Sequence, residues 1–223
     1  MKNHYDEVYF SWQRAIGKFV AEVGGAKFAR QIKPSDNVVD FGCGGGYLLA
    51  AIDCAGKLGV EINKNERAEA SAQGIQTVES TDEIPNAWAD VVISYSALEH
   101  TEMPLMELRK LLPKVKPGGM VVFSVPHESL SWRYEERDAN QHLYTWSPMS
   151  AGNLFATAGF SVERVYTIRM IWPPMYRTIH RVCGLRMFEV ICQVYRFGRL
   201  ALSPIKRLGV DAYIVIICRR AME

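Results

Sequence analysis

Apolar positions in this chain recur at two different periods. Short apolar runs at 38–41, 58–62, 75–78, 89–94 and 120–125 read as strands, closed by glycine, proline or polar residues. Stretches of helical spacing lie between them, at 47–55, 65–73 and 104–115. Lys33-Pro34-Ser35-Asp36 and Lys116-Pro117-Gly118-Gly119 read as turns, because proline presets φ and glycine accepts positive φ. After Pro126 the pattern changes to a polar and aromatic connection, then a helix over 148–158, a strand over 160–170 and a last strand over 212–218. The first 32 residues read as helix, with Phe19, Val20, Val23 and Phe28 apolar among polar neighbours.

Repeated strand-then-helix order requires a parallel sheet with helices on both faces. The predicted fold class is therefore α/β: a doubly wound, seven-stranded, mostly parallel sheet with a helical insertion before the last strand. A length of 223 residues suits a single domain over 1–223. Within it, 171–211 is a basic amphipathic insertion, too long to be an idle connection. Seven positive residues (Arg177, Arg181, Arg186, Arg196, Arg199, Lys206, Arg207) oppose two negative ones (Glu189, Asp211), and Trp172, Tyr176, Met187, Phe188, Val190, Val194 and Phe197 are interleaved. Three occupants suit its apolar face: the protein's own sheet, a second copy in a homodimer, or an anionic membrane surface.

The formal net charge of +2 gives no global reason to bind nucleic acid, and none is expected as a partner. Five cysteines (Cys43, Cys54, Cys183, Cys192, Cys218) form no C-x-x-C pair, no zinc spacing and no even set for disulfides. No metal centre is expected, and a reducing compartment is. Met1 to Asp6 carry no signal-like apolar core, and no apolar run approaches the roughly 20 residues that span a bilayer. The expectation is a cytoplasmic protein, peripheral at the inner membrane face where 171–211 meets lipid.

Asp40-Phe41-Gly42-Cys43-Gly44-Gly45-Gly46 follows a strand and opens a helix, the place where a doubly wound sheet binds a nucleotide-like ligand. A dinucleotide fingerprint would need glycine at 42, 44 and 47, and residue 47 is tyrosine. The spacing that is filled is Asp-x-Gly-x-Gly-x-Gly, whose carboxylate suits a cation better than a phosphate and whose glycines let a ligand approach the backbone. Glu61 lies 21 residues beyond Asp40 at the end of the next strand, placed to accept both ribose hydroxyls of an adenosine. A tight turn with a solvated strand-end charge explains either feature alone; the pair, in alternating context, points to a ligand.

This loop resembles motif I of the class I S-adenosylmethionine-dependent methyltransferases. Asp90 to Ser94, Leu98-Glu99-His100, Met103-Pro104, Leu111-Leu112, Lys116 to Gly119 and Gly152 to Phe160 together resemble the methyltransferase type 11 group, which includes ubiquinone-biosynthesis O-methyltransferases and many small-molecule and glycan enzymes. The resemblance runs from Val38 to about Ala158 and implies a Rossmann-like methyltransferase fold with S-adenosylmethionine as cofactor. It implies a cofactor site of Asp40, Gly42, Cys43, Gly44, Glu61, Ile62, Thr81, Asp82, Ser94 and Glu99. Many relatives carry an aspartate after the third strand for the adenine amino group; Ser80 or Thr81 aligns there, so Thr81 and Asp82 are the carry-over.

A sulfonium methyl is already electrophilic, so the protein must align a nucleophile and exclude water, adding a base where the acceptor is a hydroxyl. His142, in the polar and aromatic stretch 138–146, is the first candidate base or acceptor-orienting residue, and His127, at the end of the fifth strand, the second. His100 reads as a loop-fixing residue, and Arg133, Tyr134 and Arg137 as a clamp for an anionic or sugar acceptor or as solvated side chains. The expected activity is methyl transfer to a hydroxyl of a small-molecule or glycan acceptor, including a lipid-linked one. The alternatives are N-methylation, a nucleotide-dependent oxidoreductase, which Tyr47 opposes, and a non-catalytic cofactor-binding scaffold.

Overall fold

The computed structural model describes residues 17–19, 21, 31–128, 133–136, 138, 140–170, 172–202 and 211–222. Its centre is a seven-stranded sheet in the order β3-β2-β1-β4-β5-β7-β6. The strands are β1 (Asn37–Phe41), β2 (Gly56–Val60), β3 (Gln76–Val78), β4 (Ala89–Tyr95), β5 (Val115–His127), β6 (Ser161–Met170) and β7 (Asp211–Arg219). All neighbours pair parallel except β7, which is antiparallel to both β5 and β6. The helices are α1 (Tyr47–Ala50), α2 (Lys64–Ala72), α3 (Pro104–Leu111), α4 (Pro148–Ala158) and α5 (Tyr176–Leu202).

Both faces of the sheet are covered, and the two-residue period of a strand sorts side chains between them. Val39, Phe41, Val92, Val121 and Phe123 enter one core with Phe155 of α4, while Val38, Val91, Ile93 and Val122 enter the other with Leu49, Ile52 and Ala70. Local signals fix the helix ends. Asn63 caps α2 by accepting the N–H groups of Asn65 and Glu66, and α4 starts from a Ser147/Ser150 capping box and stops at Gly159, where φ is 106°.

Several boundaries differ from the sequence pattern. The helix expected over 47–55 ends at Ala50, because the Ala55 and Gly56 N–H groups bond back to Asp36 O and deliver the chain into β2. β2 ends at Val60 rather than at 62, so Glu61 and Ile62 project past its tip. Lys116 to Gly119, expected as a turn, lies inside β5 as a bulge: pairing passes from Ala89↔Val115 to Val91↔Met120, and the Gly118 N–H is satisfied by Arg220 O at 3.0 Å. Of the expected N-terminal helix, 17–19 and 21 are helical; Val20, Val23 and Phe28 lie outside the described residues.

β6 runs in the direction of β5, since each is antiparallel to β7. Met170 pairs with Asp211 and His127 with Ala212, so the chain leaves the sheet for α5 and returns to it along the carboxyl edge that also carries the tips of β1, β2 and β4. α5 is two helices broken at Gly184 (φ 71°, ψ 169°). Phe188, fully buried, anchors the second against Trp172, with ring centroids 5.6 Å apart, and against Phe19 at 5.7 Å. Lys206 and Arg207 lie outside the described residues.

Candidate active site

Asp40 is the fourth residue of β1, and its side chain is buried. Burial, and then the charge of Glu61, lift its carboxyl to about 7. Beyond Phe41 the backbone turns through positive φ at Gly42 (74°) and Gly44 (50°), while the Gly42 and Cys43 N–H groups hold Val60 O at 2.9 and 3.1 Å. A Cβ on Gly42 would stand 2.2 Å from the Cβ of Ala97, so the β4 tip rests directly on this loop and admits only glycine. Cys43 turns inward; burial, followed by the charges of Asp40 and Glu61, keeps its thiol protonated.

Glu61 closes the loop from the other side. Its Oε2 accepts the Gly44 N–H at 3.0 Å and its Oε1 the Asn63 N–H at 2.8 Å, leaving each oxygen a further lone pair. Arg67 fixes the same tip by donating to Glu61 O and Ile62 O, both at 2.8 Å. Burial still raises the Glu61 carboxyl, opposed by these donors. Ile62 stands 78% exposed beside it, an apolar surface at the mouth. From α2, buried Glu66 lies under Gly45, and Glu69 accepts the Tyr47 hydroxyl at 2.6 Å. Carboxylates therefore surround the glycine loop, which repels a pyrophosphate and suits a cation.

The remaining expected cofactor residues divide. Ser94 is buried and donates to Phe41 O at 2.7 Å, tying the β4 tip to the β1 tip. Thr81 and Asp82 are committed to α3: the Thr81 hydroxyl donates to Glu107 at 3.3 Å, and Asp82 stands 3.4 Å from Lys110. Glu99, in the turn after β4, is fully buried, and neither carboxylate oxygen has a hydrogen-bond partner. Burial, and more weakly the charge of Glu128, push its carboxyl up to about 8.

Residues 140–146 cross over this edge and are pinned at successive points. His142 Nδ1 lies 2.5 Å from Glu128 Oε1, the Leu143 N–H bonds Glu99 O at 3.0 Å, the Tyr144 hydroxyl donates to Glu102 O at 2.8 Å, and His127 Nδ1 meets Trp146 O at 2.9 Å. His142 Nε2 is 4.0 Å from Glu99 Oε1, and its ring meets that of His100 edge-on at 4.9 Å. The two candidate histidines thus part: His142 faces the buried carboxylate, while His127 holds the crossing segment. Arg133 and Tyr134 are exposed to solvent, and Arg137 lies outside the described residues. Among the described residues, Glu99, His100 and His142 also bring donor atoms within 4.8 Å of one another, as a metal site would. Sequence reading passed over Glu128; its position directly after His127 at a strand end was the available signal.

Comparison with known proteins agrees with this geometry. Residues 11–165, well over half of the chain, match the family described as Methyltransferase domain. The chain belongs to that family. Its sheet and crossovers share the fold of S-adenosylmethionine-dependent methyltransferases of known structure. The ubiquinone biosynthesis O-methyltransferase of Aliivibrio fischeri is 33% identical over 106 residues, covering 42% of this methyltransferase and 45% of the relative. The enzyme of the same name from Pseudomonas putida is 37% identical over 100 residues, covering 39% and 43%. The match thus spans under half the length of these curated relatives. A methyltransferase structure from Archaeoglobus fulgidus shares the fold with a TM-score of 0.66 at 18% identity, over 96% of this chain and all of that one.

The donor set fits the cofactor of the methyltransferase. Asp40 offers a carboxylate for the ammonium, Glu61 keeps lone pairs for ribose hydroxyls, and the left-handed glycines remove side chains where the methionine part must approach. No helix among the described residues is long and apolar enough to cross a membrane.

Proposed function

We propose that the methyl acceptor is a hydroxyl of a small-molecule or glycan substrate, and that His142 takes its proton. The observation that carries this reading is the placement of His142: its ring is held by Glu128 at 2.5 Å, and its other nitrogen points toward fully buried Glu99. A hydroxyl is a poor nucleophile at neutral pH and gains from a fixed base, whereas a neutral amine does not need one. The names of the curated relatives, O-methyltransferases, support the same choice.

In this reading Asp40 binds the cofactor ammonium, and Glu61 accepts the ribose hydroxyls beside its existing bonds to Gly44 and Asn63. S-adenosylmethionine, when bound, supplies a methyl carbon activated by its sulfonium. The protein holds the acceptor oxygen in line with that carbon, and segment 140–146 keeps water out. As the acceptor oxygen takes the methyl group, the carbon–sulfur bond would break to release S-adenosylhomocysteine, and the hydroxyl proton passes to His142 Nε2 and from there to solvent.

The insertion gives a setting for this chemistry. Met187, Val190, Val194 and Phe197 form an exposed apolar stripe on the second half of α5, with Phe197 77% exposed, and Arg186 and Arg196 flank it. We read it as a contact for an anionic membrane surface that brings a lipid-linked acceptor to the carboxyl edge. Sedimentation with anionic liposomes tests this; indifference to anionic lipid removes it, and concentration-dependent dimerisation assigns the stripe to a second copy instead.

The decisive experiment is incubation of the purified protein with S-adenosylmethionine and panels of phenols, sugars and amines, reading the release of S-adenosylhomocysteine. Turnover with hydroxyl acceptors, reduced by at least about a hundredfold in His142→Ala, is the expected result. Turnover confined to amines, or unaffected by that substitution, overturns the reading. Binding of S-adenosylhomocysteine without turnover on any acceptor leaves a scaffold.

A further inference from the structure

Glu128 has no part in the cofactor site, yet it makes the shortest side-chain contact to a candidate catalytic residue. It follows His127 at the end of β5, and its Oε1 lies 2.5 Å from Nδ1 of His142, a residue that reaches it from 14 positions later in the chain. The pair is sheltered rather than solvated, the His142 side chain being 12% and the Glu128 side chain 22% exposed. A carboxylate can only accept at this position, so Nδ1 must be the nitrogen that bears hydrogen. Nε2 of neutral His142 is then a bare lone pair. It faces buried Glu99, whose Oε1 lies 4.0 Å away and whose two carboxyl oxygens have no hydrogen-bond partner.

From this arrangement we propose that Glu128 is a positioning residue: it fixes His142 in the Nδ1–H tautomer and so leaves the proton-accepting Nε2 facing Glu99. The inference rests on the reading of His142 as the proton acceptor in methyl transfer. When a lone pair of the acceptor oxygen forms the bond to the methyl carbon, the carbon–sulfur bond would break with its pair going to sulfur, leaving S-adenosylhomocysteine; the O–H pair stays on oxygen and the proton forms the second N–H of His142. The resulting imidazolium donates from Nδ1 to the Glu128 carboxylate, which stabilises the charge as it develops. The anchoring of the neighbouring residues makes the placement rigid, since Leu143 and Tyr144 are bonded to the turn after β4 at Glu99 O and Glu102 O.

The tautomer can be read without an acceptor. The full chain, labelled with ¹⁵N-histidine, is examined by long-range ¹H–¹⁵N correlation at a pH about two units above the ordinary histidine value, with S-adenosylhomocysteine present. Assignment of the His142 ring comes from the spectrum of His142→Gln. The expected result is a proton on Nδ1 and none on Nε2, with a preference of roughly tenfold or more, as a hydrogen bond to a charged group provides. Glu128→Ala, which removes the acceptor, should abolish that preference; Glu128→Gln, which keeps an oxygen within reach, should restore it. A merely structural Glu128 would change melting temperature but leave the tautomer the same in all three proteins, and that result overturns the proposal. So does an Nε2 resonance that shifts on adding Zn²⁺ and returns on chelation in the unaltered protein, which would make Glu99, His100 and His142 a metal site. Calorimetry with S-adenosylhomocysteine separates the two layers: intact binding with an unchanged tautomer refutes the role of Glu128 alone, whereas loss of binding by the unaltered chain refutes the functional reading beneath it.

Discussion

Replacing Asp40 by asparagine should move stability and cofactor affinity in opposite directions. In the free protein, burial and the neighbouring Glu61 raise the Asp40 carboxyl from 3.8 to about 7, an interval that corresponds to about 4 kcal/mol for holding the charge in the fold. The sign follows from proton linkage: the folded state holds the proton more tightly than the unfolded one, so this penalty is absent below 3.8, grows as pH rises and is complete above about 7. An amide removes the charge but still needs partners, so about half of the figure, roughly 2 kcal/mol, is the expected gain at pH 8. For a chain of this length that raises the melting temperature by about 4–8 °C. Affinity goes the other way. Loss of a charge-assisted contact to the ammonium, worth about 1.5–3 kcal/mol, weakens S-adenosylhomocysteine binding roughly 10- to 150-fold. The unaltered protein adds a second signature: because Asp40 must ionise to receive the cation, Kd should rise about tenfold per pH unit below about 7, with proton release visible as calorimetric heat that depends on the buffer. Scanning calorimetry and titration calorimetry on the two proteins provide the assay. A variant with unchanged melting temperature and Kd, or an unaltered protein whose Kd is flat from pH 6 to 8, refutes the claim that the buried charge is spent on cofactor binding.

Other substitutions probe the parts around it. Glu61→Gln keeps the shape but loses the charge that holds Gly44 and Asn63, so titration of S-adenosylhomocysteine should show roughly tenfold weaker binding with the fold intact by circular dichroism. Gly42→Ala meets Ala97 Cβ at 2.2 Å and must also hold φ at 74°, so denaturant unfolding should lose about 2 kcal/mol or more and cofactor binding should fall with it. Phe155→Ala, in the core beneath β5, should lower stability by about 3–5 kcal/mol while leaving Kd unchanged in the protein that remains folded, which marks it as a packing position.

The parts of this molecule legible in the chain are those set by local periodicity. Buried β1, the glycine turn after it and Glu61 at the next strand tip follow from a two-residue period, from positive φ and from a fixed spacing, and the structure brings them together as expected. What escaped depends on distant partners. Lys116 to Gly119 has the composition of a turn, but Arg220, about a hundred positions away, completes it as a bulged strand. Thr81 and Asp82 reach Glu107 and Lys110 of α3, a pairing that the sequence around them does not announce. Glu128 and His142 are joined only because the intervening segment returns to the sheet edge, and no periodicity encodes such a return.

The attachment of α5 has a bearing on how this fold can diversify. Its two roots, Met170 and Asp211, are partners in one antiparallel ladder, side by side, so the whole excursion behaves as a cartridge plugged into adjacent sockets. Asp40 lies on β1, and the glycine turn and Glu61 at the tips of β1 and β2, strands that the cartridge never enters. Exchange of this segment between relatives should therefore change what meets the carboxyl edge while the glycine turn and its two acidic neighbours carry on unaltered.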